Sequence, residues 1–156
     1  MAIITLNNNS LSSVTALPAG VGGKVLQVVT ATDSSERSTT STSFVTASNT
    51  LSVDITPSST SNKIFVNVTG AISTIGAFMY TTIFRGATDL GFSNQGITQH
   101  YETDNNVFVP MAMSILDTPN STSQQTYQVY FRRFNNSSLS YLAAVKKTIT
   151  AFEIAG

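Results

Sequence analysis

TLSVDITPSSTSNKIFVNVT, residues 50–69, predicts a strand, a turn and a second strand. Apolar and polar residues alternate in both halves, so each strand has one apolar and one polar face. Pro57 has no backbone N–H to donate and ends the first strand, and residues 58–62 are of the polar, turn-forming kind. The alternating apolar positions are Leu51, Val53, Ile55, Ile64, Val66 and Val68.

The same pattern recurs along the rest of the chain and predicts nine or ten strands separated by turns. No stretch has an apolar stripe of helical period over ten residues. We therefore expect an all-β, antiparallel β-sandwich that is jelly-roll-like in its number of strands. An immunoglobulin-type sandwich is the alternative, although its characteristic Cys and Trp residues are missing. The predicted strands cover residues 24–31, 44–47, 51–56, 63–73, 76–85, 107–117, 126–134, 139–145 and 148–155.

Composition favours a single domain that belongs to an assembly. The chain has 156 residues, and only 10% of them are charged, against about 25% in typical soluble domains. Eight basic and eight acidic residues balance, so no electrostatic footprint for nucleic acid is present. A surface rich in Ser, Thr and Asn gives little charge repulsion between copies, which favours association over free diffusion.

The absence of Cys excludes disulfides, thiolate catalysis and zinc–thiolate sites. The first residues lack a basic region followed by a long apolar run, so no signal peptide is predicted. No run approaches the ~18 apolar residues of a membrane-spanning helix, and we expect no membrane insertion.

Residues 1–23 differ from the rest and are predicted to form an extended N-terminal arm, with the sandwich domain at 24–156. The arm has apolar residues without a sustained period, and it ends in the breakers Pro18, Gly20, Gly22 and Gly23. We expect it to dock on a neighbouring subunit, with docking on its own domain or a simple edge strand as the alternatives. The predicted partner-binding residues of the arm are Ile3, Ile4, Leu6, Leu11, Val14 and Leu17.

No catalytic constellation is apparent, and we predict neither an enzyme nor a cofactor. The single histidine, His100, lies in a stretch from 89 to 106 whose pattern indicates a long irregular loop. Glu102 and Asp104 follow it at strand spacing, but a solvated polar loop is a better interpretation than a metal site. No G-x-S-x-G elbow and no glycine-rich phosphate loop occurs.

Aromatic residues offer a second class of function, the binding of a sugar ring. Tyr130 shares the polar face of its predicted strand with Gln128 and Arg132, so we predict that it contacts another surface. Lys146 and Lys147 are expected to be ordinary charges at a strand end. The aromatic residues available for a sugar platform, a core or an interface are Tyr80, Phe84, Tyr127, Tyr130, Phe131 and Phe134.

Several strand-and-turn segments resemble a family of short virion proteins of tailed, largely marine bacteriophages. They are GKVLQVV (23–29), STTSTSFV (38–45), ITPSSTSNKIFV (55–66), IFRG (83–86) and TITAFEIAG (148–156). The resemblance covers most of residues 23–156 and carries over no ligand-binding residue. It implies a β-sandwich subunit, a homotrimer, on the outside of a virus particle that is made in the host bacterial cytoplasm.

Two roles fit this resemblance. One is a capsid decoration (cement) protein that binds the major capsid protein and stabilises the head, because multivalent trimers turn weak contacts into durable attachment. The other is a tail-fibre or receptor-binding tip, but the long N-terminal shaft usual in fibres is missing. A contrasting class is a lectin-like module that binds a host-surface glycan through the 89–106 stretch and Tyr130.

Overall fold

The computed structural model describes residues 24–103, 107–134 and 139–156. These ranges contain eleven strands and one short 3₁₀ turn at Ser93–Gln95, and no α-helix occurs within them. The strands are β1 (Val25–Asp33), β2 (Arg37–Thr39), β3 (Ser52–Ile55), β4 (Lys63–Thr74), β5 (Ala77–Arg85), β6 (Thr88–Asp89), β7 (Thr98–Glu102), β8 (Val109–Asp117), β9 (Gln125–Arg133), β10 (Ser140–Leu142) and β11 (Lys147–Ile154).

The strands form two sheets, and every pairing between them is antiparallel. Sheet A has the order β1-β11-β4-β10-β2, with β8 on the other side of β4. Sheet B has the order β3-β9-β5-β6, with β7 also paired to β5. The predicted all-β antiparallel sandwich is confirmed. Pro110, which lacks a backbone N–H to donate and so suits an edge strand or a bulge, lies on β8, and β8 pairs only with β4 among the described strands.

The core lies between the sheets and follows the period-two alternation of the strands. All six apolar positions of the 50–69 stretch are buried, none with more than 5% of its surface exposed. Tyr127, Val129 and Phe131 of β9 pack against them from sheet B, and Ile149 and Ala151 of β11 from sheet A. Alternation places these side chains on the inner face, so their burial drives the pairing of the two layers.

The eleven described strands compare with the nine or ten expected, and three local predictions were wrong. The expected irregular stretch at 89–106 contains β7, and the expected loop at 33–43 contains β2. Conversely, the predicted strand at 44–47 makes only a single bridge between Val45 and Phe131. The missed strands are short and polar, and they form because a neighbouring strand supplies their hydrogen bonds. For example, β7 pairs with β5, and Thr98 Oγ1 of β7 lies 2.5 Å from Thr81 Oγ1 of β5.

Lys147 is fully buried, which corrects its interpretation as a charge at a strand end. It is an inward residue of β11, and burial lowers the pKa of its ammonium group. Lys146, one position earlier, is exposed as expected. The ammonium group donates hydrogen bonds to the carbonyl oxygens of Ser35 (2.9 Å), Ala143 (2.5 Å) and Val145 (3.1 Å). The buried ammonium group is tolerated because these three backbone carbonyl oxygens replace the water molecules that would otherwise solvate it.

Candidate functional site

The outer face of sheet A carries an apolar row that crosses four neighbouring strands. The strand register aligns Val28 of β1 with Phe152 of β11, Phe152 with Phe65 of β4, and Phe65 with Leu116 of β8. The rings of Phe65 and Phe152 lie 6.1 Å apart. The two ends of the row are open to solvent, with 52% of Val28 and 53% of Leu116 exposed. We call these four residues the apolar row.

The rest of this face is apolar towards one end of the strands and rich in hydroxyl groups towards the other. Val25 pairs with Ile154 beside the apolar row, and Leu26 is exposed at the same end. In the opposite direction the next row is Thr30, Thr150, Asn67 and Ser114, and Thr30 Oγ1 lies 3.0 Å from Thr150 Oγ1. A polar border around an exposed apolar patch is typical of a surface that contacts another molecule.

The outer face of sheet B carries a larger set of rings. Phe78 and Tyr101 lie 4.5 Å apart between ring centroids, and Phe84 and Tyr130 lie 4.2 Å apart. Stacked and edge-on contacts at 6.0 to 6.4 Å join the remaining rings. We call this set the aromatic cluster; its members are Phe44, Phe78, Tyr80, Phe84, Tyr101, Tyr130 and Phe134.

Two loops cover the middle of the aromatic cluster, and Arg132 holds both of them. Its guanidinium donates to the carbonyl oxygen of Asn94 in the 3₁₀ turn (Nε to oxygen, 2.8 Å) and to that of Thr42 (3.0 Å). The same group lies 4.6 Å from the ring centroid of Tyr80 and 5.4 Å from that of Phe44. A guanidinium between rings and carbonyls fixes the loops through cation–π attraction and charge-assisted hydrogen bonds.

Tyr130 lies on this covered face rather than on an open polar one. It shares its side of β9 with Gln128 and Arg132, as the alternation predicted, but it is half-buried and packs on Phe84 of the adjacent strand. The polar neighbours along β9 gave no sign of the aromatic neighbours on β5. A role of Tyr130 in partner binding stays a prediction.

The other aromatic candidates for a sugar platform divide between core and surface. Tyr127 and Phe131 are fully buried between the sheets, and Tyr80 is buried beneath the loops. Phe134 remains exposed over 58% of its surface, and Tyr101, which the sequence did not single out, over 51%. The exposed part of the aromatic cluster is therefore its Tyr101–Phe134 end.

The described residues contain no group of three or more His, Asp or Glu side chains that could hold a metal ion. His100 and Glu102 lie on the same side of β7, where a solvated polar loop was the preferred expectation, and Asp104 lies outside the described residues. Asp117 accepts two hydrogen bonds from Arg85 Nη1 (2.9 and 2.7 Å) and one from the Tyr127 hydroxyl (2.6 Å). The pKa of the Tyr127 hydroxyl is raised far above its ordinary value, mainly by burial and further by the hydrogen bond to the Asp117 carboxylate and by its charge.

The Asp117 contacts link β8 of sheet A to β5 and β9 of sheet B. An open pocket of about 440 Å³ lies elsewhere and is lined by Glu36 and five apolar residues, Ala71, Phe108, Ala143, Ala144 and Val145. One carboxylate in an apolar pocket does not provide the acid and base pair that glycoside hydrolysis requires.

The arm residues Ile3, Ile4, Leu6, Leu11, Val14 and Leu17 lie outside the described residues. No described helix has both the length and the apolar character needed to cross a bilayer. The fold and its surfaces define an antiparallel β-sandwich with one outer face covered by loops and one that no described segment covers. No protein-family model matches the chain, and no curated protein is significantly similar to it in sequence.

Proposed function

We propose that this chain is a structural subunit of a tailed-phage virion, a homotrimeric decoration protein that binds the major capsid protein and stabilises the head. One observation carries the proposal: the open outer face of sheet A, with its apolar row across four strands and a border of hydroxyl groups. The resemblance in the strand-and-turn segments supplies the class of particle. The site of action is then the virion surface.

The charge distribution on this face favours a protein partner. Lys63, at the end of β4, is the one charged residue among the outward positions of the paired segments of β1, β11, β4 and β8. Interface centres are depleted of charged residues, because each charge would lose its hydration on contact. The Phe and Leu side chains of the row contribute apolar area at about 25 cal/mol per Å² buried.

A glycan-binding module is the second candidate, and the Tyr101–Phe134 end of the aromatic cluster favours it. Both rings are more than half exposed, and both contact Phe78 on rigid β5. Exposed rings held by a sheet are suited to stacking on the apolar face of a sugar. Arg132, the charged group within the cluster, already donates to backbone carbonyls, so this candidate ranks second.

Labelling of the parent particle tests the proposal. Gold-labelled antibodies raised against the purified chain should decorate phage heads in electron micrographs, and light scattering of the purified chain should give three times its monomer mass. Labelling of the tail tip alone would support the fibre role instead, and absence of label from purified particles would overturn the virion assignment. A glycan array on the wild-type chain and on Tyr101→Ala tests the second candidate, which requires binding that this substitution weakens.

A further inference from the structure

The chain enters sheet A at the apolar end of its outer face. The carbonyl oxygen of Lys24 accepts a hydrogen bond from the backbone N–H of Ala155 at 2.7 Å, and Val25 then pairs with Ile154. Residues 1–23 are therefore attached beside the apolar row, not at the hydroxyl-rich end of the strands. The point of attachment is fixed by the sheet itself.

Residues 1–23 match the apolar row in chemistry and in reach. They contain no Asp, Glu, Lys or Arg, so they bring no side-chain charge to an apolar surface. The apolar row spans three strand spacings, roughly 14 Å. In an extended chain with three residues per turn, Leu11, Val14 and Leu17 would fall on one side at intervals of about 9 Å, close to two strand spacings.

We propose that Leu11, Val14 and Leu17 of one copy lie across the apolar row of a neighbouring copy. β1 is an edge strand of sheet A among the described strands, and the described chain begins at Lys24, at the outer corner of that sheet. A neighbouring copy can approach at this corner, so a segment attached there is placed to reach its sheet. Gly20, Gly22 and Gly23 allow the turn that a second sheet would require. The inference depends on the proposed function only in requiring self-association.

Arm exchange of this kind would join each subunit to the next without burying the hydroxyl-rich end of the face. Thr30, Thr150 and Ser114 would remain at the border of the contact, where water can satisfy their hydroxyl groups. The segment that binds is short, so each contact is weak alone. A closed ring of such contacts is durable, because every subunit is held twice.

Disulfide trapping in the full-length chain tests this contact, since the natural sequence has no Cys. Val14→Cys and Leu116→Cys chains, purified separately and mixed under mild oxidation, should give covalent dimers on a non-reducing gel. Ala112→Cys is the matched control: it replaces an exposed outward residue of the same strand, about 13 Å from Leu116. It should give several-fold less dimer with Val14→Cys.

The doubly substituted chain separates exchange from self-docking. Val14→Cys with Leu116→Cys in one chain should form linked multimers; closure within single monomers would show that the arm covers its own sheet, and would overturn the proposal. Light scattering supplies a second measurement, in which Leu116→Lys should lower the oligomer mass and Ala112→Lys should not. If the wild-type chain is trimeric but none of these variants links or dissociates, arm exchange fails while the proposed assembly role stands.

Discussion

The two outer faces of this sandwich start from similar sequence patterns and end in different states. On sheet B, the rings of Tyr80 and Phe84 are covered by neighbouring rings and by two loops. On sheet A, the apolar row has no described segment over it, and its ends at Val28 and Leu116 are half exposed. The difference teaches that an aromatic residue on an outward position does not by itself mark an interface. What marks a candidate is exposure of apolar side chains that no described segment of the same chain covers.

A single cation accounts for much of this difference. Arg132 reaches from β9 to the carbonyl oxygens of Asn94 and Thr42 and so holds two loops over the outer face of sheet B. Sheet A uses a charged residue in another way: Glu153 is inward and nearly fully buried, and it ties the turn after β3 to the end of β11. Arg132 therefore holds loops over the outer face of sheet B. Glu153 stabilises only the end of sheet A, and no described segment covers the outer face of that sheet.

The largest expected effect comes from breaking the cover of sheet B at Gly96. Gly96 has a φ of +69°, and a Cβ there would overlap the Thr81 carbonyl oxygen. Gly96→Ala should lower the free energy of unfolding by about 3 kcal/mol or more, combining left-handed strain with displacement of backbone. Urea unfolding of the purified chain measures this.

Gly86→Ala is the matched control for that substitution. Gly86 also has a positive φ, +55°, but a Cβ there would have no neighbour within 4 Å. It should cost only about 1 kcal/mol, the strain alone. Equal losses in the two variants would mean that the loop does not press on sheet B, and the contrast between the two faces would weaken accordingly.

The next effect concerns the fastening at the end of sheet A and depends on pH. Glu153 Oε1 accepts hydrogen bonds from Ser58 N (2.6 Å), Ser58 Oγ (2.7 Å) and Asn62 Nδ2 (2.7 Å). Burial acts to raise the pKa of this carboxyl, but the hydrogen bonds outweigh it and hold the pKa below its ordinary value. The pKa of Asp33 is also lowered: burial opposes this, and hydrogen bonds from Thr50, Ser35 and Arg37 produce it.

A lowered folded-state pKa means that the unfolded chain binds more protons as the pH falls. The stability from Glu153 and Asp33 is therefore fully present above about pH 5 and is lost as the pH falls through the folded-state pKa values. Glu153→Gln should cost about 2 kcal/mol at pH 7, because it weakens charge-assisted hydrogen bonds to buried donors. The difference in free energy of unfolding between this variant and wild type should be smaller at pH 3 than at pH 7, and a difference independent of pH would refute the assignment.

Period-two alternation was enough to predict the inner faces, because it depends only on each strand's own residues. Leu51, Val53 and Ile64 were assigned to the core on that basis and are buried there. Alternation does not predict the register between strands. The apolar row depends on register, because its four residues come from four different strands. Phe65 and Phe152 are outward residues whose pairing brings two isolated rings together. An outward Phe on each of two predicted strands was the available signal.

The errors have the same origin as the successes. Lys147 was interpreted from its charge, yet its position in the alternation is inward. Two carbonyls just before it, of Ala143 and Val145, and the remote carbonyl of Ser35 make its burial possible. β7 was missed because the stretch from 89 to 106, which contains Gly91 and Gly96, was interpreted as one long irregular loop. They permit a tight turn instead: Phe92 N donates to the Gly96 carbonyl at 2.9 Å, and a strand follows at once.

The smallest and most discriminating effect is a crossed comparison of one residue from each face. Tyr130→Ala removes a ring 4.2 Å from that of Phe84 and should lower the free energy of unfolding by about 1–2 kcal/mol without changing the oligomer mass. Leu116→Ala removes an exposed side chain, so it should change subunit stability by less than about 0.5 kcal/mol while weakening association. Urea unfolding below the association concentration and light scattering above it separate the two quantities. If Tyr130→Ala instead dissociated the oligomer and left the stability of the subunit unchanged, the loop-covered face would be the binding surface and Tyr130 its partner-binding residue.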